Sequence, residues 1–269
     1  MQIGNRFFDV KNHTYIMGIL NVTPDSFSDG GNFCTKDEAL FRVEEMLSEG
    51  MDILDIGGES TRPGYVQVTD EEEIERTVPI IEAVKAEFEV PVSLDTYKSK
   101  VAKSGICAGA DMINDIWGLA YDEKLGQIIA ECGVCCCLMH NRKEAVYSSF
   151  LEEVAADVAE MLQRAAKAGI ADDKIIIDPG VGFAKSYENN LQMINHMEAL
   201  HMFGYPILLG ASRKSVIGLT LDLPVSERLE GTLVTTTLAV AKGCSFVRVH
   251  DIKENVRAIK MAEAILKRG

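Results

Sequence analysis

The chain has 269 residues, 47% of them apolar and 25% charged, with only 7 prolines, a composition that can bury a large core and excludes a disordered tail or a low-complexity fibre. Its 27 Lys+Arg against 41 Asp+Glu leave a formal net charge of -14, which repels a polyanion wherever basic residues do not cluster, so nucleic acid is not the expected partner. No run of about 18 uninterrupted apolar residues predicts a membrane span. The opening Met1-Gln2-Ile3-Gly4-Asn5-Arg6 lacks the basic-then-apolar order of a secretory signal, so a cytoplasmic setting is expected.

In chain order, Arg6 to Val10 is the first two-sided segment and predicts a small hairpin over the floor of whatever follows. Short apolar, β-branched runs then recur: Thr14 to Leu20, Met51 to Ile56, Val90 to Leu94, Asp111 to Asp115, Gly133 to Met139, Lys174 to Asp178, Pro206 to Gly210 and Ser245 to Val249. Helical spacing fills the intervals, as in Thr35 to Glu49, Asp70 to Phe88, Lys98 to Ala108, Glu123 to Glu131 and Leu151 to Ala168. Asp70-Glu71-Glu72-Glu73 puts negative charge on a first helical turn, where the helix dipole favours it. Strand and helix alternating in this way over about 250 residues predicts an α/β fold of the (β/α)8 TIM barrel type, with the short N-terminal hairpin. An open doubly wound sheet is the alternative, but no Gly-rich dinucleotide turn or clear edge strand supports it. No linker divides the chain, so residues 1–269 are expected to form a single domain.

Four of the cysteines sit together in Cys132-Gly133-Val134-Cys135-Cys136-Cys137. The C-x-x-C spacing raises a zinc or redox site, yet no second ligand pair follows at finger-like spacing, and buried apolar thiols in a reducing compartment are the expected reading.

Polar residues that are odd company for buried strands recur at the strand ends. Asn21 to Gly31 follow the first run, Gly57 to Gly64 the second, then come Asp95-Thr96, Asn114-Asp115, His140, Asp178 to Phe183, Ser212-Arg213-Lys214-Ser215 and Arg248-Val249-His250. In a barrel these ends share the rim where active sites are assembled. A single Asp such as Asp95 is as readily the cap of the next helix, but Asp95, Asn114 and Asp178 together with Lys214 and Arg248 imply mutual compensation or a polar ligand. Arg62, Arg213, Arg248 and His250 suggest an anionic, phosphate-bearing substrate near the start of the helix after Ser212. Asn21 and Asp25 in the first loop are candidates to reach a hard divalent ion such as Mg2+.

These segments resemble the dihydropteroate synthases of the pterin-binding barrel superfamily. The motifs are Met17 to Gly31, Asp55 to Gly64, Leu94-Asp95-Thr96, Ile113-Asn114-Asp115, Asp178 to Phe183, Ser212 to Ser215 and Arg248 to Asp251, in family order over nearly the whole chain. The resemblance implies condensation of 6-hydroxymethyl-7,8-dihydropterin pyrophosphate with p-aminobenzoate, giving 7,8-dihydropteroate and pyrophosphate in folate synthesis. It implies Asp95, Asn114, Asp178 and Lys214 on the pterin edge, and Asp25, Asp178 and Lys214 as catalytic. Thr61, Arg62, Arg248 and His250 would face the pyrophosphate, with Asn21 on its Mg2+. Phe27, Pro63, Phe183, Lys214 and Ser215 would form the p-aminobenzoate pocket, which sulfonamides enter. It also implies a dissociative path through a cationic pterin, and a homodimer. One departure is noted: the family commonly has a methionine lining the pterin pocket after Met139-His140, where Asn141 stands here.

Three other functions are compatible with parts of the pattern. A methyltetrahydrofolate-corrinoid methyltransferase shares the pterin-holding Asp and Asn but needs no pyrophosphate loop. A Schiff-base aldolase through Lys214 lacks an apolar setting for that lysine, beside Arg213. A non-catalytic pterin-binding paralogue need not keep both rim loops.

Overall fold

Uninterrupted runs of Val, Ile, Leu and Cys are stable as strands only when both faces are covered, and a parallel sheet wrapped by helices does this. The computed structural model of the chain describes residues 1–23, 36–60 and 67–267. Two tiny strands, β1 (Gln2–Ile3) and β2 (Arg6–Phe7), pair antiparallel as a hairpin. The barrel strands are β3 (Tyr15–Asn21), β4 (Ile53–Gly57), β5 (Val92–Asp95), β6 (Met112–Asp115), β7 (Cys135–Met139), β8 (Ile175–Asp178), β9 (Leu208–Leu209) and β10 (Phe246–Val249). Every residue of β4 to β9 is buried.

These eight form one sheet in the order β8-β7-β6-β5-β4-β3-β10-β9, with parallel pairing throughout. The ring is closed by a parallel bridge between Ile177 and Ile207, with Ile177 N donating to Pro206 O at 3.0 Å. The expected barrel is therefore the observed one, and the open sheet is excluded.

The helices α1 (Lys36–Glu49), α2 (Asp70–Glu87), α3 (Ser99–Cys107), α4 (Leu125–Cys132), α5 (Phe150–Ala168), α6 (Tyr187–Asn195), α7 (Ser215–Leu221), α8 (Leu229–Ala241) and α9 (Ile252–Leu266) surround it. Thr69 caps α2, its hydroxyl accepting from Glu72 N at 3.2 Å. Asp70, Glu71 and Glu72 suit the dipole as expected, whereas Glu73 is buried and points inward. Gly133, at φ 66°, ends α4 in the left-handed cap that turns the chain into β7.

The barrel interior is divided. Its floor is filled by Ile3 and Phe8 of the hairpin region, packed on Met17, Ile53, Ile176 and Phe246, so the N-terminal segment covers the floor as expected. Cys135 and Cys137 join this inner cluster and Cys136 the outer one, all three buried. Burial pushes Cys135 up to about 11 and raises the other two thiols. Among the described residues no group of His, Cys, Asp and Glu is arranged to hold a metal. Of the C-x-x-C pair, Cys135 packs inside the barrel, whereas Cys132, expected to be buried, is exposed at the end of α4. No described helix is long and apolar enough to cross a membrane.

Candidate active site

With the floor filled by apolar side chains, the polar residues collect at the C-terminal ends of the strands. Strand register puts three of them, with one glycine between, in one row. Asn21 lies opposite Gly57, Gly57 opposite Asp95, and Asp95 opposite Asn114. Lateral partners in a parallel sheet share a face, so the row lines one side of the cavity. Gly57 keeps it open, since a Cβ there would lie 3.6 Å from Asn21 Oδ1 and 3.7 Å from Asp95 Cβ. Farther round, Met139 lies opposite Asp178. Gly210, just past β9, leaves a hollow whose Cβ position is 3.4 Å from Asp178 Oδ2 and 3.8 Å from Lys214 Nζ.

The charges compensate one another across the barrel. Arg248 of β10 donates from Nε to Asp55 Oδ2 at 2.6 Å and from Nη2 to Asp95 Oδ2 at 2.7 Å. Asn114 Nδ2 reaches Asp55 Oδ2 at 3.4 Å. The second oxygens, Asp55 Oδ1 and Asp95 Oδ1, are buried with no protein partner. Buried acceptors of this kind are costly unless a ligand satisfies them. Burial pushes Asp95 up to about 7 against the pull of Arg248.

On the opposite side, Asp178 Oδ1 accepts from Gly180 N at 2.7 Å. Burial raises the Asp178 carboxyl, with Lys214 opposing. Lys214 donates to Val181 O and stands 4.6 Å over the Phe183 ring. Burial lowers it to about 8, with Asp178 holding it up. Tyr97, Ile116 and Met139 form an apolar cluster with Trp117 and Phe183 against it. The set suits a flat heterocycle with donors and acceptors on its edge.

The structure thus gathers Asp95, Asn114, Asp178, Lys214 and Arg248, with Phe183 beside them. The Arg248 guanidinium lies on Asp55 and Asp95, the counter-charge that two buried carboxylates require. Arg213 is paired with the Asp251 carboxylate in a two-pronged contact, Nε to Oδ2 at 2.9 Å. His250 is held by Ser212, Nδ1 to Oγ at 3.0 Å. Ser215 is exposed at the first position of α7, and Asn21 closes β3. His140, expected at the rim, turns outward to Asp157 of α5 at 2.9 Å. Asn141 donates to Ile116 O at 3.1 Å. Met139 itself stands in the apolar wall. Asp25, Phe27, Thr61, Arg62 and Pro63 lie outside the described residues.

Two features escaped the sequence reading. Asp55 anchors Arg248, and its signal was a charge inside an otherwise apolar strand. Glu59, Lys98 and Glu73 form a buried triad, Lys98 Nζ lying 2.6 Å from Glu59 Oε2 and 2.7 Å from Glu73 Oε2. Lys98 also donates to Val68 O at 2.7 Å, and Val68 N to Glu59 Oε2 at 3.0 Å, so the chain is pinned on both sides of residues 61–66.

This barrel, with carboxylates, an amide and a lysine around a flat cavity, has the makings of a pterin-binding enzyme, and residues 17–250 match the model of the family described as pterin binding enzyme. The dihydropteroate synthase of Clostridium beijerinckii is 54% identical over 269 residues, all of both chains. The crystal structure of a dihydropteroate synthase from Clostridium difficile in the presence of pteroic acid superposes with a TM-score of 0.94 at 45% identity, covering 96% of this chain and 99% of that one. The Yersinia pestis dihydropteroate synthase with a sulfonamide drug gives 0.93 at 38% identity, over 100% of this chain and 99% of that one. The Xanthomonas albilineans dihydropteroate synthase with 4-aminobenzoic acid gives 0.90 at 40% identity, over 95% and 94%. The chain belongs to the dihydropteroate synthases of the pterin-binding family.

Proposed function

We propose that this chain, as one catalytic domain, joins p-aminobenzoate to 6-hydroxymethyl-7,8-dihydropterin pyrophosphate in folate biosynthesis. The observation that carries the reading is that Asp178 and Lys214 meet at the hollow left by Gly210, and that Arg248, beside the same hollow, reaches Asp95 and through the sheet register its neighbour Asn114. The unpartnered Asp95 Oδ1 and the Asp178 carboxylate accept the N–H groups of the pterin edge, and Asn114 and Lys214 orient the ring. As the methylene carbon–oxygen bond breaks, its electron pair leaves with pyrophosphate. The two carboxylates then stabilise the positive charge spread over the dihydropterin. The neutral aniline nitrogen attacks that carbon and afterwards gives up its proton to water, so no strong general base is needed. Phe183, Lys214 and Ser215, with Phe27 and Pro63, are assigned to p-aminobenzoate, and Asp25 to catalysis. Thr61, Arg62 and His250 are assigned to the pyrophosphate, with Arg248 reaching it from its place between Asp55 and Asp95.

Mg2+ fits the donors present. Asn21 offers one hard amide oxygen at the cavity edge, and such an ion commonly takes its other ligands from phosphate and water rather than from a protein cage. When bound it would neutralise charge on the leaving group. Free thiols at Cys107, Cys132, Cys135, Cys136, Cys137 and Cys244 suit a reducing, cytoplasmic setting. Leu219, Leu221, Val234, Leu238, Met261 and Ile265 are exposed on α7, α8 and α9 and support a homodimer through these helices.

The test is pyrophosphate release by the purified protein with the dihydropterin pyrophosphate and Mg2+. Release that requires p-aminobenzoate, yields dihydropteroate and falls on adding a sulfonamide is expected. Pterin binding without release would instead favour the methyltransferase or binder readings.

A further inference from the structure

Behind the cavity, one charged cluster braces the loop that carries Asp178. The loop supplies the Asp178 carboxylate, the Val181 carbonyl that accepts from Lys214, and the Phe183 ring beneath the Lys214 ammonium. Its backbone is left-handed at Gly180 (φ 69°), Gly182 (φ 86°) and Ala184 (φ 40°). A path with a non-glycine residue in that region persists only where surrounding contacts fix it.

Lys185 makes those contacts. Its Nζ donates to Gly180 O at 2.9 Å and Phe183 O at 3.1 Å, and lies 2.9 Å from His140 Nδ1. An ammonium only donates, so Nδ1 accepts and the imidazole proton sits on Nε2, facing Asp157 Oδ2 at 2.9 Å. Arg142 Nε donates to the same Asp157 oxygen at 2.6 Å. The His140 backbone N–H donates to Asp178 O at 2.9 Å. A continuous bridge therefore runs from α5 through His140 and Lys185 to both ends of the loop.

We propose that Lys185 is a positioning residue for the reaction: braced on His140, it closes the Asp178-to-Phe183 loop into its working shape, and it sets a positive charge at Gly180, whose N–H holds Asp178 Oδ1. The inference rests on the synthase reading. Asp178 faces Lys214 from the loop after β9, Arg248 from β10 and Lys185 from its own loop, all favouring the carboxylate against burial, with the neutral Cys137 thiol on β7. Lys185 faces Asp178 and Asp157, which hold its proton on, and Lys214 and Arg142, which oppose it; burial brings it down to about 7. Below neutral pH, where Lys185 is charged, removing that charge raises Asp178 further.

The experiment compares pH profiles of kcat/KM for the dihydropterin pyrophosphate in the wild type, Lys185→Met and Lys185→Arg, with thermal melts and the KM for p-aminobenzoate. The Met variant is expected to stay folded, to lose about tenfold or more in kcat/KM for the pterin substrate with the p-aminobenzoate KM little changed, and to show its acid limb at higher pH. The Arg variant, whatever its rate, is expected to keep the limb at the wild-type position. If Lys185→Met does not fold, Lys185→Gln, which keeps a donor for the two carbonyls and drops the charge, is expected to show the same limb shift. An unmoved limb in a folded variant lacking the charge overturns the inference, even if the rate falls. A limb that moves equally in Lys185→Arg also overturns it. An active wild type separates these failures from failure of the synthase reading, which an inactive wild type would signal and which would remove the inference with it.

Discussion

At the residue scale, the proposed site rests on buried carboxylates whose charged form the neighbouring cations favour against burial. Asp178 has Lys214, Lys185 and Arg248 to offset its burial, and Asp178→Asn keeps the shape while removing the charge. The variant should melt near the wild type and lose about 100-fold or more in kcat; near wild-type turnover would remove Asp178 from the mechanism. Lys98 is a different case, because it sits between Glu59 and Glu73 with both acids buried. Lys98→Met strands two carboxylates and should cost about 3–5 kcal/mol in urea unfolding. His140 gives a pH signature. Burial, with help from Lys185, holds it down to about 4 from 6.5, so its neutral ring contributes stability that is present above pH 6.5 and lost as pH falls through 4. Asp95 and Asp115, pushed up to about 7 and about 6, act with the opposite sign. They remain in His140→Gln, so acidification should lower the urea midpoint less in that variant than in the wild type.

At the element scale, the eight runs were legible because a two-face-buried strand leaves an unbroken apolar run, and each one ends in a polar or glycine residue where the rim begins. Asp95, Asn114 and Asp178 were legible for the same reason, since they break the run at its C-terminal end, and Lys214 was legible from the charged loop that follows the seventh run. Arg248 was placed at the rim, but its direction was not, since that depends on Asp55 two strands away in the sheet and on no local pattern. Lys98 and Lys185 look like ordinary helix-flanking lysines in sequence, and only the fold brings their acceptors together. Tight strand-to-helix packing gives a further expectation. A Cβ on Gly18 of β3 would lie 2.4 Å from Met46 Cε, 2.5 Å from Met51 Sδ and 2.9 Å from Ile252 Cδ1, so Gly18→Ala should destabilise by about 1–3 kcal/mol in chemical unfolding.

At the scale of the whole molecule, the barrel separates stability from chemistry along its axis. The floor is apolar and plugged by the N-terminal hairpin, and the other end carries the charge. Phe8, fully buried against Tyr15 and Phe246, should therefore be replaceable by Ala at a cost of about 3–5 kcal/mol in stability. Substrate KM values measured well below the melting temperature should stay unchanged. The proposed pterin seat is the pair Asp95 and Asn114, closed by Asp178 and Lys214. The most direct measurement is a crystal structure of this protein with pteroic acid. The pterin ring is expected over Gly210, its edge bonded to Asp95, Asn114, Asp178 and Lys214, and its benzoate toward Phe183 and Ser215. A pterin ring bound elsewhere, or seated there with Asp95 Oδ1 still lacking a partner, would contradict the proposed seat.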